Sequence, residues 1–418
     1  MSDGQHDALE LALPARLAGA RARATRRFDV FSPYDGAVIG RAPDIDFRTL
    51  AASSHEGSRV AGTLQSTELV QERLRNWARK IGVQREELAR IVSLETGKPI
   101  RFARVEVDLA LAALDPYCSC LPVPLVREWT AAQSAFSILN WCDAILSTVK
   151  EAATVLSSGR ALVIKPSSRA PLASRALEAL WSEGDDLDAL LCVALSSDAI
   201  GVLRAALMSS QVTEVRFRGR RDVGTFVSNA CHEAVVPATI SASERLPLVL
   251  YARADVHARC DAVLNRVFLQ PLLSCAERVS CLYVEDSLAD SLIPILIDRM
   301  SQLRVGDPLD DETEIGPVID DVAANLTSEQ VEDALFDGAT LSGGQVVSDG
   351  RQLRPIILDH VKPFMRVCTE DLEGPLLPVV RFSHPSELPG TPCLTIASLL
   401  TSVMSERCDW SRHCPRAH

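Results

Sequence analysis

Residues 136–165 read Phe136-Ser-Ile-Leu-Asn-Trp-Cys-Asp-Ala-Ile-Leu-Ser-Thr-Val-Lys-Glu-Ala-Ala-Thr-Val-Leu-Ser-Ser-Gly-Arg-Ala-Leu-Val-Ile-Lys165. Two short apolar runs at the ends of this stretch, Phe136–Leu139 and Ala161–Lys165, have the length of strands. Between them, Ala144–Leu156 carries apolar residues at helical spacing. A strand, a helix and a strand in this order are typical of two parallel strands joined by a crossover helix. The stretch therefore predicts an α/β fold built on a parallel sheet.

The same alternation continues towards the C-terminus. The predicted strands are Ala189–Leu195, Glu214–Phe217 and Leu248–Tyr251, and the predicted helices are Pro171–Ser182, Ala199–Met208 and Asp222–Ala230. A second cycle follows Asp255, with helices at Asp261–Leu273, Leu288–Leu303 and Ala323–Phe336 and strands at Val279–Val284 and Pro355–Leu358. Repeated units of this kind place helices on both faces of a parallel sheet, and ligands bind at the carboxyl ends of its strands.

The residues before this region predict a different arrangement. Two short strands flank a turn within Phe28–Pro43. Val70–Leu94 has apolar positions at helical spacing and predicts one amphipathic helix, which ends at Thr96–Pro99. Ile100–Leu114 predicts a second helix, and Asp115–Ala135 predicts a crossing loop.

The composition is that of a globular protein, since 47% of the 418 residues are hydrophobic and 23% are charged. The formal net charge of −12 argues against a nucleic-acid partner, which needs a basic footprint. Residues 1–11 are polar and acidic, and no apolar run reaches membrane-spanning length, so no membrane partner is predicted. We therefore predict a cytoplasmic protein.

The twelve cysteines are scattered along the chain, which favours reduced thiols over a disulfide framework. Cys118-Ser-Cys120 is too closely spaced for a usual zinc pair. The set Cys393, Cys408, His413 and Cys414 lacks paired spacing. No metal site is predicted.

One cysteine stands at a position that suits chemistry. Cys275 follows an apolar run in Phe268–Cys281, at a junction between a loop and the predicted strand Val279–Val284. A thiolate there is suited to attack on a carbonyl carbon. A buried apolar thiol is the alternative interpretation, because free cysteine is among the most buried residue types.

Six pieces of the sequence resemble the aldehyde dehydrogenase superfamily and occur in that family's order. They are Ser32–Gly40, Glu95–Pro99, Val163–Ser167, Phe217–Gly219 with Val223-Gly224, Val305–Ile319 and Glu370–Pro375. The resemblance runs from about Phe28 to about Ser383. It implies an N-terminal extension at 1–27, a Rossmann-like nucleotide domain at 28–247 and a second α/β, catalytic-type domain at 248–388. Residues 389–418 read as unrelated sequence, which is expected if the catalytic domain is truncated by a frame change.

The family's chemistry is oxidation of an aldehyde with NAD or NADP, and the resemblance assigns three positions to it. Cys275 takes the nucleophile position when residues are counted forward from Phe268, whereas counting back from Arg278 places that position at Ser274 or Leu273. Cys142 stands where the family has the asparagine that stabilises the oxyanion, and Ser241 stands where it has the general-base glutamate. Losing the donor costs roughly 10²–10³ in rate, and losing the base typically costs about 10²–10⁴. Asn140 and Glu244 lie near the two altered positions.

The nucleotide positions are better kept. The resemblance implies contacts from Lys165, Trp141 and the turn containing Gly219 and Gly224. Ser168 replaces a common glutamate, which leaves NAD and NADP equally open as cofactors.

Three further positions near the nucleotide depart from the family's pattern. Arg220 replaces a serine, so that it either alters a phosphate contact or forms a solvated basic pair with Arg221. Asp371 matches a glutamate that holds the nicotinamide ribose, and Glu373 replaces a phenylalanine.

These departures lead to three hypotheses. The first is a degenerate family member, a pseudoenzyme with weak or no activity that still binds nucleotide. The second is a working dehydrogenase that uses Cys275 on a small aldehyde. The third is a non-catalytic partner subunit that forms an oligomer with itself or with a full-length relative.

Overall fold

The computed structural model describes residues 26–45, 47–64, 67–119, 133–242, 244–251, 256–269, 277–345, 350–389 and 394–395. These residues form two compact units. The first unit contains the described residues up to 242 together with 304–320. The second unit contains the described residues of 244–303 and 321–395.

The first unit opens with an antiparallel pair of strands and continues into helices and a parallel sheet. Its strands are β1 (Arg26–Phe31), β2 (Val38–Asp44), β3 (Ser134–Leu139), β4 (Ala161–Lys165), β5 (Leu191–Val193), β6 (Val212–Gly219) and β7 (Ala238–Ala242). Its helices are α1 (Phe47–Thr63), α2 (Glu68–Val83), α3 (Arg85–Thr96), α4 (Ile100–Ser119), α5 (Ala144–Leu156), α6 (Leu172–Trp181), α7 (Ala199–Met208) and α8 (Arg221–Glu233).

Strands β3 to β7 form one parallel sheet in the order β5-β4-β3-β6-β7. The chain winds outward from β3 to β5 and then crosses back to β6 and β7, so the direction of winding reverses between β3 and β6. Every residue of β4 is buried, as expected for a central strand covered on both faces. The predicted Rossmann-like sheet is thus confirmed, and its ligand crevice is expected outside the carboxyl ends of β3 and β6.

Two buried glutamates on neighbouring helices hold the helices that follow β3 and β4. Glu95 on α3 accepts hydrogen bonds of 2.7 and 2.9 Å from the N–H groups of the first two residues of α6. Glu106 on α4 accepts hydrogen bonds of 2.8 and 3.3 Å from the second and third residues of α5. A carboxyl group at a helix start accepts hydrogen bonds from N–H groups that have no partner within the helix. Helices α3 and α4 therefore fix where α5 and α6 begin.

The segment 304–320 packs against the turn between α3 and α4 through two glycines. A Cβ atom on Gly316 would lie only 1.8 Å from the carbonyl oxygen of Gly97. Gly97 itself has φ +75, a conformation that favours glycine. The N–H of Ile100 donates to the carbonyl of Pro308 at 2.7 Å, which adds a backbone bond beside this contact. The two segments are therefore close enough to require glycine on both sides.

The second unit is also α/β. Its strands are β8 (Glu244–Leu250), β9 (Glu277–Glu285), β10 (Thr340–Gly343), β11 (Ile356–Asp359), β12 (Leu376–Phe382) and β13 (Leu394–Thr395). Its helices are α9 (Val256–Leu264), α10 (Asp286–Ser301), α11 (Asp321–Phe336) and α12 (Arg366–Thr369). The sheet order is β10-β11-β12-β9-β8-β13, with β10 antiparallel to β11 and the other neighbours parallel.

Several predicted elements need correction. The single helix predicted over Val70–Leu94 is wrong, because α2 and α3 are separate helices that meet at Gln84, whose φ of −95 and ψ of 18 are not helical. Helix α4 extends to Ser119, into the predicted crossing loop. The sequence pattern does not indicate α1, β7 or β12. Residues 304–320, expected in the second domain, group with the first unit.

We expect Gly316→Ala to lower the free energy of unfolding by about 1–3 kcal/mol, because the new methyl group meets the backbone of Gly97 rather than a movable side chain. Gly306→Ala in the same segment is the matched control, since its Cβ would meet only the Thr313 hydroxyl at 3.4 Å. Urea unfolding followed by circular dichroism gives both values. Equal values for the two variants would contradict the glycine contact.

The pH dependence of stability tests the Glu95 cap. Burial raises the pKa of Glu95 to about 8 from an ordinary 4.5, although its bonds to the α6 N–H groups act in the opposite direction. The folded state therefore holds this proton more tightly than the unfolded state, and its contribution to stability is lost as pH rises towards and through 8. We expect the stability difference between wild type and Glu95→Gln to change by up to about 5 kcal/mol between pH 4.5 and 9. Denaturant unfolding across this range measures it, with the exposed Glu87→Gln on the same helix as the control. A constant difference for Glu95→Gln would contradict the assignment.

Candidate functional site

The carboxyl ends of four neighbouring strands carry most of the predicted site residues. The loop Asn140–Asp143 follows β3, Lys165 ends β4, Gly219 ends β6, and Ser241 lies next to last on β7. Because these strands are parallel, their carboxyl ends lie at one edge of one sheet. Cys275 lies outside the described residues, and its role as nucleophile stays a prediction.

The loop after β3 is closed by Asn140. The Oδ1 atom of Asn140 accepts the N–H of Cys142 at 3.2 Å, and the Cys142 Sγ lies 3.6 Å from the same oxygen. Asparagine commonly closes a turn in this way, by bonding to the backbone two residues on. Trp141 is half-buried in this loop, and Cys142 is buried. At the position where the resemblance expects an amide donor, Cys142 offers only a thiol, which is a weak donor.

A buried ion pair holds the same loop from α4. The Lys98 ammonium donates to the carbonyl of Cys142 at 2.8 Å and pairs with Glu106. Their side chains are 3% and 0% exposed. Burial raises the pKa of Glu106, and the charge of Lys98 opposes this effect. Since Glu106 also caps α5, the pair fixes the loop and the helix together.

The position predicted for the general base lies beside a cation. Ser241 is an exposed residue of β7, and its neighbour in the register on β6 is Arg218, which also pairs with Leu139 on β3. The Arg218 Nε lies 3.6 Å from the buried carboxylate of Asp143. A hydroxyl next to a guanidinium is unsuited to taking up a proton near neutral pH. Glu244 begins β8 of the second unit, and its side chain lies outside the described atoms.

Lys165 is the buried cation at the end of β4. Its Nζ donates to the carbonyl of Pro166 at 3.0 Å. Burial lowers the pKa of Lys165 to about 8, while Asp198 and Asp44 act to raise it. A partly desolvated ammonium at this edge of the sheet is suited to contact ribose hydroxyls. Ser168, three residues further, is exposed.

The turn from β6 into α8 depends on close packing at its two glycines. A Cβ on Gly219 would lie 2.8 Å from the Phe217 ring, and one on Gly224 would lie 3.1 Å from the same ring. Close packing of helix on strand is one of the roles of glycine in nucleotide-binding turns. Arg220 pairs with Asp222 at 2.9 Å, and both side chains are exposed. Arg220 thus has an acidic partner on its own helix, and an altered phosphate contact stays a prediction.

The predicted nicotinamide-ribose residue belongs to the second unit. Asp371 and Glu373 are half-buried between α12 and β12. Gln330 of α11 donates to the carbonyl of Asp371 at 3.1 Å. A Cβ on Gly374 would lie 2.5 Å from the Thr327 hydroxyl. The segment is thus held closely on α11, and its contact with a nucleotide stays a prediction.

Two features are absent from the part of the chain that the structure describes. Within these residues, no group of three or more His, Cys, Asp or Glu side chains is arranged to hold a metal ion. No helix among them has the length and apolar character needed to cross a membrane.

The sequence analysis does not identify four charged residues that shape the site, namely Lys98, Glu106, Asp143 and Arg218. Glu106 carries the clearest signal, because it lies on the face of a helix that otherwise buries apolar residues. Lys98 and Arg218 belong to pieces that carry the resemblance, but their partners are distant in sequence. Their pairing becomes visible only in the fold.

Comparisons with known proteins agree with this architecture. A model of the aldehyde dehydrogenase family matches residues 20–390. The NADP(+) succinate-semialdehyde dehydrogenase of Escherichia coli is 26% identical over 383 residues, which cover 86% of this chain and 78% of that protein. The glutarate-semialdehyde dehydrogenase of Pseudomonas putida is 24% identical over 380 residues, covering 86% of this chain and 78% of the relative.

Solved structures show the same fold. An oxidoreductase from Marinobacter aquaeolei superposes with a TM-score of 0.79 at 24% identity, covering 87% of this chain and 79% of that one. The succinate-semialdehyde dehydrogenase from Burkholderia pseudomallei superposes with a TM-score of 0.78 at 21% identity, with the same two coverages. At these identities the likeness concerns the fold alone.

We expect Lys98→Met to lower the free energy of unfolding by about 3–5 kcal/mol, because it leaves Glu106 buried without its counter-charge. The double variant Lys98→Met with Glu106→Met is expected to recover part of the loss, since it removes both charges. Arg104→Met, which breaks surface ion pairs on the same helix, is the control and should cost less than about 1 kcal/mol. Chemical unfolding of the four proteins measures these differences. A cost for Lys98→Met no larger than that of Arg104→Met would contradict the role of the pair.

Proposed function

Because the chain belongs to the aldehyde dehydrogenase family, we propose that it binds NAD or NADP and oxidises an aldehyde only weakly or not at all. The observation that carries this proposal is the position of Ser241 beside Arg218 on the neighbouring strand. The resemblance requires a carboxylate there to activate water. A guanidinium next to a hydroxyl supports binding of charge rather than removal of a proton.

The oxyanion position supports the same proposal. The family's chemistry needs a thiolate to add to the aldehyde and a donor to stabilise the resulting oxyanion. Cys142 holds the donor position with a buried thiol, which is a weak donor in place of an amide. The effects on the rate of losing the general base and of losing the oxyanion donor do not simply add, but each loss affects a different step of the reaction.

The residues present fit a nicotinamide nucleotide. Lys165 at the end of β4 would meet the adenosine ribose, the close-packed turn Gly219–Gly224 would approach the phosphates, and Trp141 would lie beside them. Asp371 is proposed for the second ribose. When bound, the nucleotide supplies the hydride acceptor. Ser168 in place of a carboxylate leaves room for a 2′-phosphate, so we propose NADP as well as NAD.

The substrate class follows from the relatives. Matching proteins are named for succinate semialdehyde and glutarate semialdehyde, so a short aldehyde that carries an acid group is the first candidate substrate here. A cytoplasmic location is part of the proposal. It is supported by the scattered spacing of the twelve cysteines, which favours reduced thiols over a disulfide framework.

Purified full-length protein should bind NADP or NAD by calorimetry and give little or no reduction of either nucleotide with a panel of aldehydes that includes succinate semialdehyde. Cys275→Ala should abolish whatever small rate remains, because Cys275 takes the nucleophile position. Nucleotide reduction that is robust and is lost in Cys275→Ala would instead establish a working dehydrogenase. Co-elution with a full-length relative, without nucleotide binding, would favour a non-catalytic partner subunit.

A further inference from the structure

Charged side chains alternate along β6 on one face of the sheet. Glu214, Arg216 and Arg218 occupy every second position, while Val215 and Phe217 are buried on the other face. Parallel strands inside a sheet normally carry apolar residues on both faces. A row of charges on this face therefore needs partners.

The two arginines differ in how well they are matched. Arg216 donates to Glu214 at 2.8 Å and to Glu151 of α5, so two carboxylates serve it. Arg218 faces Asp143 at 3.6 Å, which is longer than a hydrogen bond. Among the residues that the structure describes, the buried Nε of Arg218 has no hydrogen-bond partner. A guanidinium with an unbonded Nε and one carboxylate at 3.6 Å is poorly matched, which favours an additional anionic partner at its other nitrogens.

The surroundings of Arg218 remain open to a ligand. Its side chain is 17% exposed although its Nε is buried, so the side chain is only partly covered by the protein. Ser241, beside it in the register, is exposed on β7, which lies at the end of the strand order. Both residues stand at the carboxyl ends of neighbouring strands, and β6, which carries Arg218, borders the point where the winding of the sheet reverses. A cation and a hydroxyl thus face the expected crevice together.

We propose that this edge of the sheet binds a small monocarboxylate, with the Arg218 guanidinium as its cation and the Ser241 hydroxyl as a second donor. This inference rests on the proposed function, because both use the same crevice. It adds the chemical class of the ligand that the crevice binds. The bound carboxylate takes the place of the side-chain carboxylate that Ser241 lacks. The crevice then holds an acid, the oxidised form of an aldehyde, instead of activating water for its release.

The geometry favours a carboxylate over a phosphate. The planar fork of a guanidinium matches the two oxygens of a carboxylate. A dianionic phosphate would bring a second negative charge towards Asp143, whose side chain is 0% exposed and therefore poorly screened. A monocarboxylate carries a single negative charge, which Arg218 neutralises, and so avoids this repulsion.

The test is a ligand-observed NMR titration of the full-length protein with acetate, propanoate and butanoate, in parallel with the neutral butanamide and with inorganic phosphate. The carboxylates should bind and butanamide should not. Arg218→Met should weaken carboxylate binding about tenfold or more. Ser241→Glu should do the same, because its own carboxylate would pair with Arg218. The exposed Arg221→Met is the matched control and should bind as wild type does.

Arg218→Met removes the counter-charge of the buried Asp143 and so carries a risk of unfolding. Ser241→Glu keeps Arg218 and serves as the second variant. Equal carboxylate binding by wild type and both variants, binding of phosphate alone, or no carboxylate binding would each overturn the proposal. Turnover and nucleotide binding are measured on the same samples. If turnover depends on Cys275 and carboxylate binding depends on Arg218, the proposed function is wrong and this inference stands. If the protein binds nucleotide but no carboxylate, this inference is wrong and the proposed function stands.

Discussion

The arrangement of the first unit depends on two carboxylates that are buried at helix starts. Glu95 and Glu106 come from adjacent helices, and each holds the first turn of a helix that follows a strand of the parallel sheet. In many nucleotide-binding sheets such helix starts are available to a ligand's phosphate. Here two of them are occupied by the protein itself. An anionic ligand at this edge is therefore left with α8 and with the cationic side chains that line the crevice.

The charges around the predicted crevice hold its loop and its edge strand in place. Lys98 and Glu106 neutralise each other and support the loop of Cys142, so the loop keeps its shape without an amide donor. Arg218 stands beside Ser241, the position predicted for the general base, and makes the local charge positive. A glutamate placed at 241 would lie next to this guanidinium, which would lower the pKa of the new carboxyl and weaken it as a base. A base at this position would therefore also require a change at Arg218.

The sequence predicts the parts of the fold that depend on local pattern. Ala144–Leu156 and Ala161–Lys165 are found with the predicted bounds, because their apolar spacing is set within one element. The break at Gln84 is not visible, since apolar residues continue at helical spacing on both sides of it. Strand β7 carries mostly exposed residues at the end of the sheet and lacks the apolar run that marks a buried strand. The position of Ser241 on a strand therefore follows from the register with β6, which no local pattern contains.

The candidate site likewise contains some residues that the sequence predicts and others that only the fold reveals. Cys142, Lys165 and Ser241 are predicted from motif order, because each belongs to a short piece with a fixed place in the chain, and their roles stay predictions. The ion pairs Lys98–Glu106 and Arg218–Asp143 join different elements, so only the folded arrangement reveals them.

The contact between Gly97 and Gly316 has a consequence for synthesis of the chain on the ribosome. The first unit is discontinuous, and the residues that close it emerge only after strands β8 and β9 of the second unit have been made. Its sheet can form early, but the turn between α3 and α4 stays uncovered until the segment 304–320 arrives. The nascent protein therefore passes through a stage in which the first unit is incomplete while synthesis of the second has begun. A chaperone that shields the turn between α3 and α4 would act during that interval.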